Sequence, residues 1–237
     1  MDEPLYKRVL IKISGEAIAG DGSEVLDFQV IGRICDVIKR CLDAGVQIGI
    51  VTGGGNIWRG AKDGADKMDR SRADHMGMLA TAINGLALAD ALESRDVEVR
   101  VQTAIEMRAF AEPYTRLRAI SHLARGRVVI FGCGTGNPFF STDTAAVLRG
   151  AEIDADIVLL AKNVDGVYDD DPRKNPNAHK YEEMTPSDFL RDNLAAMDAA
   201  AASLSRDNNI PVLLFALSDP ENIYRAVMGE RVGTLVR

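Results

Sequence analysis

No run of about 18 or more apolar residues occurs anywhere in the 237 residues, so no segment is long enough to cross a bilayer as a helix. Cysteine is scarce. Cys35, Cys41 and Cys133 are odd in number and unclustered, and they read as small buried hydrophobes rather than disulfides or metal ligands. No Ser/Pro-rich linker, internal repeat or low-complexity block divides the chain, which favours one continuous core over residues 1–237. Any two lobes would meet near residues 150–160. Positive charge is in deficit, 28 Lys and Arg against 35 Asp and Glu for a net charge of −7. That argues against a general nucleic-acid binder, but a phosphate site needs only a few well-placed cations and backbone N–H groups. The opening MDEPLYKRVLIKIS lacks the basic, apolar, small-residue order of a signal peptide, so a cytoplasmic enzyme is expected. No G-x-x-x-x-G-K-[ST] is present, which excludes a P-loop kinase.

What is present is an alternation of apolar runs and helical patterns. Arg8 to Ile13 reads as a buried strand, and an amphipathic helix follows from Asp27, with Val30, Ile31, Ile34, Val37, Ile38, Cys41 and Leu42 at helical spacing up to Gly45. Further strands are expected at 46–51, 97–101, 127–131, 156–160 and 212–215, and helices at 71–93, 113–124, 143–149, 197–207 and 222–228. The tail 233–236 reads as a strand closing the sheet edge. Strands this apolar between helices imply an α/β fold, with a mainly parallel sheet covered on both faces.

Ligands of an open α/β sheet sit at the carboxyl ends of its strands, where the unusual residues of this chain gather. The first strand ends in Lys12-Ile13-Ser14-Gly15-Glu16, the second in Gly53-Gly54-Gly55-Asn56 with Arg59 close behind, and a later one in Gly132-Cys133-Gly134-Thr135-Gly136-Asn137-Pro138. Any one glycine cluster reads equally as a tight turn. Three in a row give up backbone entropy without making a better turn, and suit close approach to phosphate oxygens. Lys12 closes an apolar strand, either snorkelling to water or aimed at a phosphoryl group in transit. Asp74 reads as a helix-start acid worth about 1 kcal/mol, and His75 as a packed histidine. Thr142 and Asp143 fit a capped helix start, which does not account for Phe139-Phe140 beside an exposed Gly-Asn-Pro turn; a base or sugar pocket would. Asp165-Gly166 is adequately explained as a hairpin turn, though Tyr168 and Asp171 can also border an adenine and ribose.

Together, Lys12–Glu16, Gly53–Gly60, Asp74-His75-Met76-Gly77-Met78-Leu79-Ala80-Thr81, Gly134–Asp143, Val164–Tyr168 and Met228-Gly229-Glu230 through Gly233-Thr234 resemble the bacterial uridylate kinase branch of the amino-acid-kinase family, essentially end to end. The resemblance implies an αβα sandwich and an enzyme of pyrimidine nucleotide biosynthesis that uses ATP with Mg²⁺ to phosphorylate UMP to UDP. It also implies a homohexamer activated by GTP and inhibited by UTP, with no residue assigned to a metal. The acceptor would lie in the N-terminal part, about 1–150, and ATP in the C-terminal part, about 151–237.

Carried over by position, ATP binding falls to Lys12, Ile13, Ser14, Gly15, Gly55, Arg59, Tyr168 and Asp171. To these is added Lys162 or Asn163, because Ala161-Lys162-Asn163-Val164-Asp165-Gly166 departs from the Ala-Thr-Lys-Val-Asp-Gly of many members. UMP binding falls to Gly54, Asp74, Thr135, Gly136, Asn137, Pro138, Phe139, Phe140, Ser141 and Thr142. Lys12, Arg59 and Asp143 are the implied catalytic set, and Asp90, Arg100 and Arg127 fall near the family's GTP region. Cys133 stands where a small residue is usual. Two rivals remain: a family member phosphorylating a carboxylate or carbamate, and a catalytically silent relative that senses nucleotides or stores oxyanions. The second has little use for Lys12, Arg59 and Asp143 together.

Overall fold

A computed structural model describes residues 3–20, 23–59, 64 and 67–237; Gly60, the last residue of the Gly53 motif, lies outside them. Eleven strands form among the described residues: β1 (Arg8–Ile13), β2 (Gln47–Thr52), β3 (Val99–Thr103), β4 (Glu112–Pro113), β5 (Val128–Gly132), β6 (Ile157–Lys162), β7 (Val167–Tyr168), β8 (Lys180–Tyr181), β9 (Glu183–Met184), β10 (Val212–Ala216) and β11 (Gly233–Val236). The helices are α1 (Gly15–Ile18), α2 (Phe28–Asp43), α3 (Arg70–Glu93), α4 (Arg116–Leu123), α5 (Thr142–Glu152), α6 (Pro186–Arg191), α7 (Ala199–Asn208) and α8 (Glu221–Val227).

Nine strands make one sheet in the order β4-β3-β5-β2-β1-β6-β10-β11-β9. All neighbours run parallel except β10 and β11. The expected tail strand therefore exists, but the two-residue β9 is the outermost strand. The expected helix at 113–124 begins only at Arg116, because Glu112 and Pro113 pair with β3 and Thr115 caps the helix.

Alternation along the strands builds the two faces. Val9, Ile11 and Ile13 of β1 pack with Ile34, Val37 and Ile38 of α2, Leu88 and Leu92 of α3, and Ile223 of α8. Leu10 faces the other way, onto Ala145, Ala146 and Val147 of α5, Leu123 of α4, Phe189 of α6 and Ala201 of α7. Burying a branched side chain contributes roughly 1.5–3 kcal/mol per residue, and β1, β2, β5, β6 and β10 each carry several. Asp27 starts α2 by accepting from the N–H groups of Gln29 and Val30 at 2.9 and 3.1 Å. No helix of the described residues is long and apolar enough to cross a membrane.

The same alternation aims two lysines. Lys12 shares the parity of Leu10 and Lys162 that of Val158 and Leu160, so both point to the α5 face at the carboxyl ends of two adjacent strands.

Candidate active site

The carboxyl ends of β1, β2 and β6 open into a cavity of about 660 Å³. Its wall includes Lys12, Ser14 and Gly15 from the first loop, Gly54, Gly55 and Arg59 from the second, and Thr142 at the start of α5. From the C-terminal half come Lys162, Asn163, Tyr168 and Asp171. Ile13 does not line the cavity; its side chain is buried in the core. The first two loops touch through backbone: a Cβ on Gly15 would lie 2.9 Å from the Gly55 nitrogen, and one on Gly53 would lie 2.8 Å from the Gly15 nitrogen. No larger residue fits at either position without moving backbone.

At the floor one carboxylate serves two ammonium groups. Asp143 Oδ1 lies 3.1 Å from Lys12 Nζ, and Oδ2 accepts from Lys162 Nζ, which also donates to the Ala196 carbonyl. The side chains of Lys12 and Asp143 are only 9% and 10% exposed, so neither charge is relieved by water. Burial alone would raise the Asp143 carboxyl above its usual range; Lys12 and Lys162 more than offset this and hold it below. The Lys162 ammonium is pushed down, first by burial and further by Lys12, against the pull of Asp143. Asp198 adds a weaker pull on Lys162 from beside Thr144.

Above the floor Arg59 pairs with Glu16, and Asn163 Nδ2 donates to the other Glu16 oxygen at 3.2 Å. The two residues left open as alternatives in the 161–166 motif are thus separated by position: Lys162 is bound to Asp143 at the floor and Asn163 lies on the wall. Tyr168 hydroxyl donates to Asp165 at 2.9 Å. Asp165-Gly166 is not a hairpin turn, because Val167–Tyr168 pairs instead with Lys180–Tyr181 across the acidic segment 169–179.

Of the residues expected to hold the acceptor, Gly54 and Thr142 line this cavity, whereas Asp74 lies on α3 and residues 135–141 form a neighbouring loop. Asp74 does not start a helix: α3 begins at Arg70, capped by Asp69. Asp74 instead accepts from Arg70 Nε at 3.0 Å and from the Phe139 N–H at 2.9 Å, tying α3 to the loop. Phe139 is 68% exposed with φ of 71°, and Arg70 lies over its ring at 5.8 Å. Phe140 is also exposed. Thr135 Oγ1 accepts from the Asn137 N–H at 3.2 Å, and Gly136, Asn137 and Pro138 complete the turn. The capping residue of α5 is Ser141, accepting from the N–H groups of Asp143 and Thr144, so neither Thr142 nor Asp143 is the cap. Cys133 is accommodated in a left-handed conformation, its N–H held by Thr81 Oγ1 at 2.8 Å.

Asp90 and Arg100 are not brought to this site. They line a second cavity of about 710 Å³ with Glu112, and Arg127 pairs with Glu98 at 2.7 Å nearby. Several participants escaped sequence reasoning. Glu16 lay inside a motif without a role, and the Ala196 carbonyl and Asp198, which accepts from Ser141 and Thr144, carry no local signal. The place of Lys162 beside Asp143 could have been found, since it closes an apolar strand just as Lys12 does.

The family model described as the amino acid kinase family matches residues 7–216. The chain belongs to the amino acid kinase family. Within it, the chain is similar to the crystal structure of UMP kinase from Bacillus anthracis, at 44% identity and a TM-score of 0.94 over 98% of this chain and 96% of that one. It is also similar to UMP kinase from Ureaplasma parvum, at 40% identity and a TM-score of 0.91 over 97% and 98%. Uridylate kinase from Archaeoglobus fulgidus follows at 27% and 0.76 over 97% and 99%. The central parallel sheet between two helical layers is the amino-acid-kinase fold.

Proposed function

We propose that the chain is an ATP:UMP phosphotransferase. The observation that carries this reading is the buried pair of lysines on one carboxylate, beneath a glycine-lined cavity, in a chain 40–44% identical end to end to two UMP kinases. In the reaction a UMP phosphate oxygen attacks the γ-phosphorus of ATP, the bond to the bridging oxygen breaks, and ADP leaves with that electron pair. Such a transfer asks for positioning and charge compensation rather than a protein nucleophile. Lys12 and Lys162 would offset charge on the moving group, Asp143 would hold them apart and aligned, and Arg59 would face the phosphates from the wall.

ATP would occupy the side lined by Ser14, Gly15, Gly55, Asn163, Tyr168 and Asp171, in the C-terminal part of the domain. UMP would occupy the side of Gly54, Asp74 and 135–142, in the N-terminal part. Mg²⁺ brought with ATP would neutralise phosphate charge. Among the described residues no group of three or more His, Cys, Asp or Glu could cage a metal, whereas Glu16, Asp170 and Asp171 stand on the cavity wall. That donor set suits a cation held mostly by phosphates and water, with one or two carboxylates. A cytoplasmic homohexamer, activated by GTP and inhibited by UTP through the region of Asp90, Arg100 and Arg127, completes the reading; its support is the family resemblance.

A coupled ADP-release assay tests it, with UMP, CMP, AMP, aspartate, glutamate, acetylglutamate and carbamate as acceptors, each with and without GTP. UMP is expected to be strongly preferred. Comparable kcat/KM for CMP would overturn the uridylate assignment, and turnover of a carboxylate would replace it.

A further inference from the structure

Phosphoryl transfer has no use for Arg149, yet this guanidinium is 95% out of solvent, at 5% exposure, near the end of α5. It makes three contacts at once. Nη1 donates to Glu152, Nη2 donates to the Gly134 carbonyl at 3.2 Å, and the flat face lies 3.9 Å from the Tyr114 ring centroid. Tyr114 in turn donates its hydroxyl to the same Glu152 oxygen at 2.5 Å and sets its ring edge-on to Phe131. A planar fork with five donors can satisfy two acceptors and a stack together; an ammonium cannot.

The carbonyl it holds belongs to a backbone that needs holding. Gly134 and Gly136, at φ of 57° and 82°, adopt left-handed backbone freely, but Cys133 beside them, at 64°, is a non-glycine residue in a region such residues sparsely populate. Such conformations persist when their surroundings over-determine them. From one side Thr81 receives the Cys133 N–H; from the other Arg149 takes the Gly134 carbonyl. We infer that Arg149 is a positioning residue that sets the 134–137 turn for the acceptor nucleotide. This rests on reading residues 135–142 as the acceptor side.

Arg149→Lys keeps the charge beside Glu152 but cannot also reach Gly134. The KM for UMP is expected to rise about tenfold, the effect of one lost hydrogen bond, with the KM for ATP within about twofold of wild type. Hydrogen exchange of the amides at 133–139 should accelerate while those at 53–56 stay unchanged. Tyr114→Phe, which loses the bond to Glu152 but leaves the ring under the guanidinium, should lower Tm without moving the KM for UMP. Should Arg149→Lys not fold, Arg149→Gln combined with Glu152→Gln leaves no uncompensated charge and carries the same test. An unchanged KM for UMP with only a lower Tm, equal rises in both KM values, or unchanged exchange at 133–139 overturns the inference. If the wild type does not turn over UMP, the acceptor reading falls, and the exchange at 133–139 alone decides the role of Arg149.

Discussion

At the ends of β1 and β6, Lys12 and Lys162 meet Asp143 of α5 nearly dry, the lysines fixed to strands that are otherwise almost wholly core. A few residues away, the 135–141 loop lies open to water with two exposed phenylalanines, and its shape depends on left-handed backbone and on single bonds from Asp74, Thr81 and Arg149. The floor presents fixed charge in a low-dielectric setting, where electrostatic stabilisation of a transition state is strongest. The loop presents backbone and ring surface, which suits selecting a ligand before the reaction. On the proposed function, the contrast divides rate and recognition between rigid strand ends and a clamped loop. Substitutions at the two places should therefore separate kcat from the KM for UMP.

Lys12→Ala should break the floor most. A fall in kcat of about 10²-fold or more is expected, with a much smaller change in the KM for UMP; near-normal steady-state kcat would return Lys12 to a snorkelling strand end.

Asp143→Asn should follow, lowering both kcat and stability, because two buried ammonium groups then share no anion. Breaking such a buried pair costs about 3 kcal/mol, to be read as a lower denaturant midpoint. The same residue gives a pH signature. Because its carboxyl is held below the usual carboxylate range when folded, the unfolded chain binds the proton first as pH falls. Its stabilisation is present above the ordinary carboxylate value and lost as pH falls through the depressed folded value. The Tm of wild type should drop over that acid window, and the curve for Asp143→Asn should be flatter there.

Asp74→Asn tests the loop. An amide oxygen can still accept from the Phe139 N–H, but the ion pair with Arg70 is lost. A KM for UMP raised several-fold, on the order of 1 kcal/mol, with unchanged Tm and KM for ATP, is expected. An equal KM for UMP in mutant and wild type would remove Asp74 from the acceptor site.

Tyr168→Phe should do least. Among the described residues the hydroxyl bonds to an Asp165 that also has Lys180, so the KM for ATP should stay within about twofold. A large rise would show that the hydroxyl, and not the ring, meets the nucleotide.

The sheet was largely legible because apolar runs with helical patterns between them have few other solutions. β1 and α2 could be read almost to the residue. β4, β8 and β9 could not, since a two-residue strand has no periodicity to detect. Lys12 stood out as a charge closing a buried run. Of the two readings of Asp74, the helix-start acid fails for a local reason: an acid at the head of a helical pattern reads as a cap, and only the fold reveals that Asp69 takes that role while Asp74 reaches residue 139. Ser141 shows the reverse, a cap hidden by two equally good neighbours. Long-range partners such as Glu16 with Asn163, or Arg149 with Gly134, join residues whose proximity is created by the sheet order and by α5.

The placement of β1 between β2 and β6 also sets an order of events on the ribosome. β1 precedes both of its partners in the chain and is destined for the middle of the sheet, and one of its two hydrogen-bonding edges has no partner until residues 157–162 have been synthesised. Until then an apolar strand carries an unpaired edge of the kind that invites wrong pairing. The two lysines of the floor come together only when that edge closes.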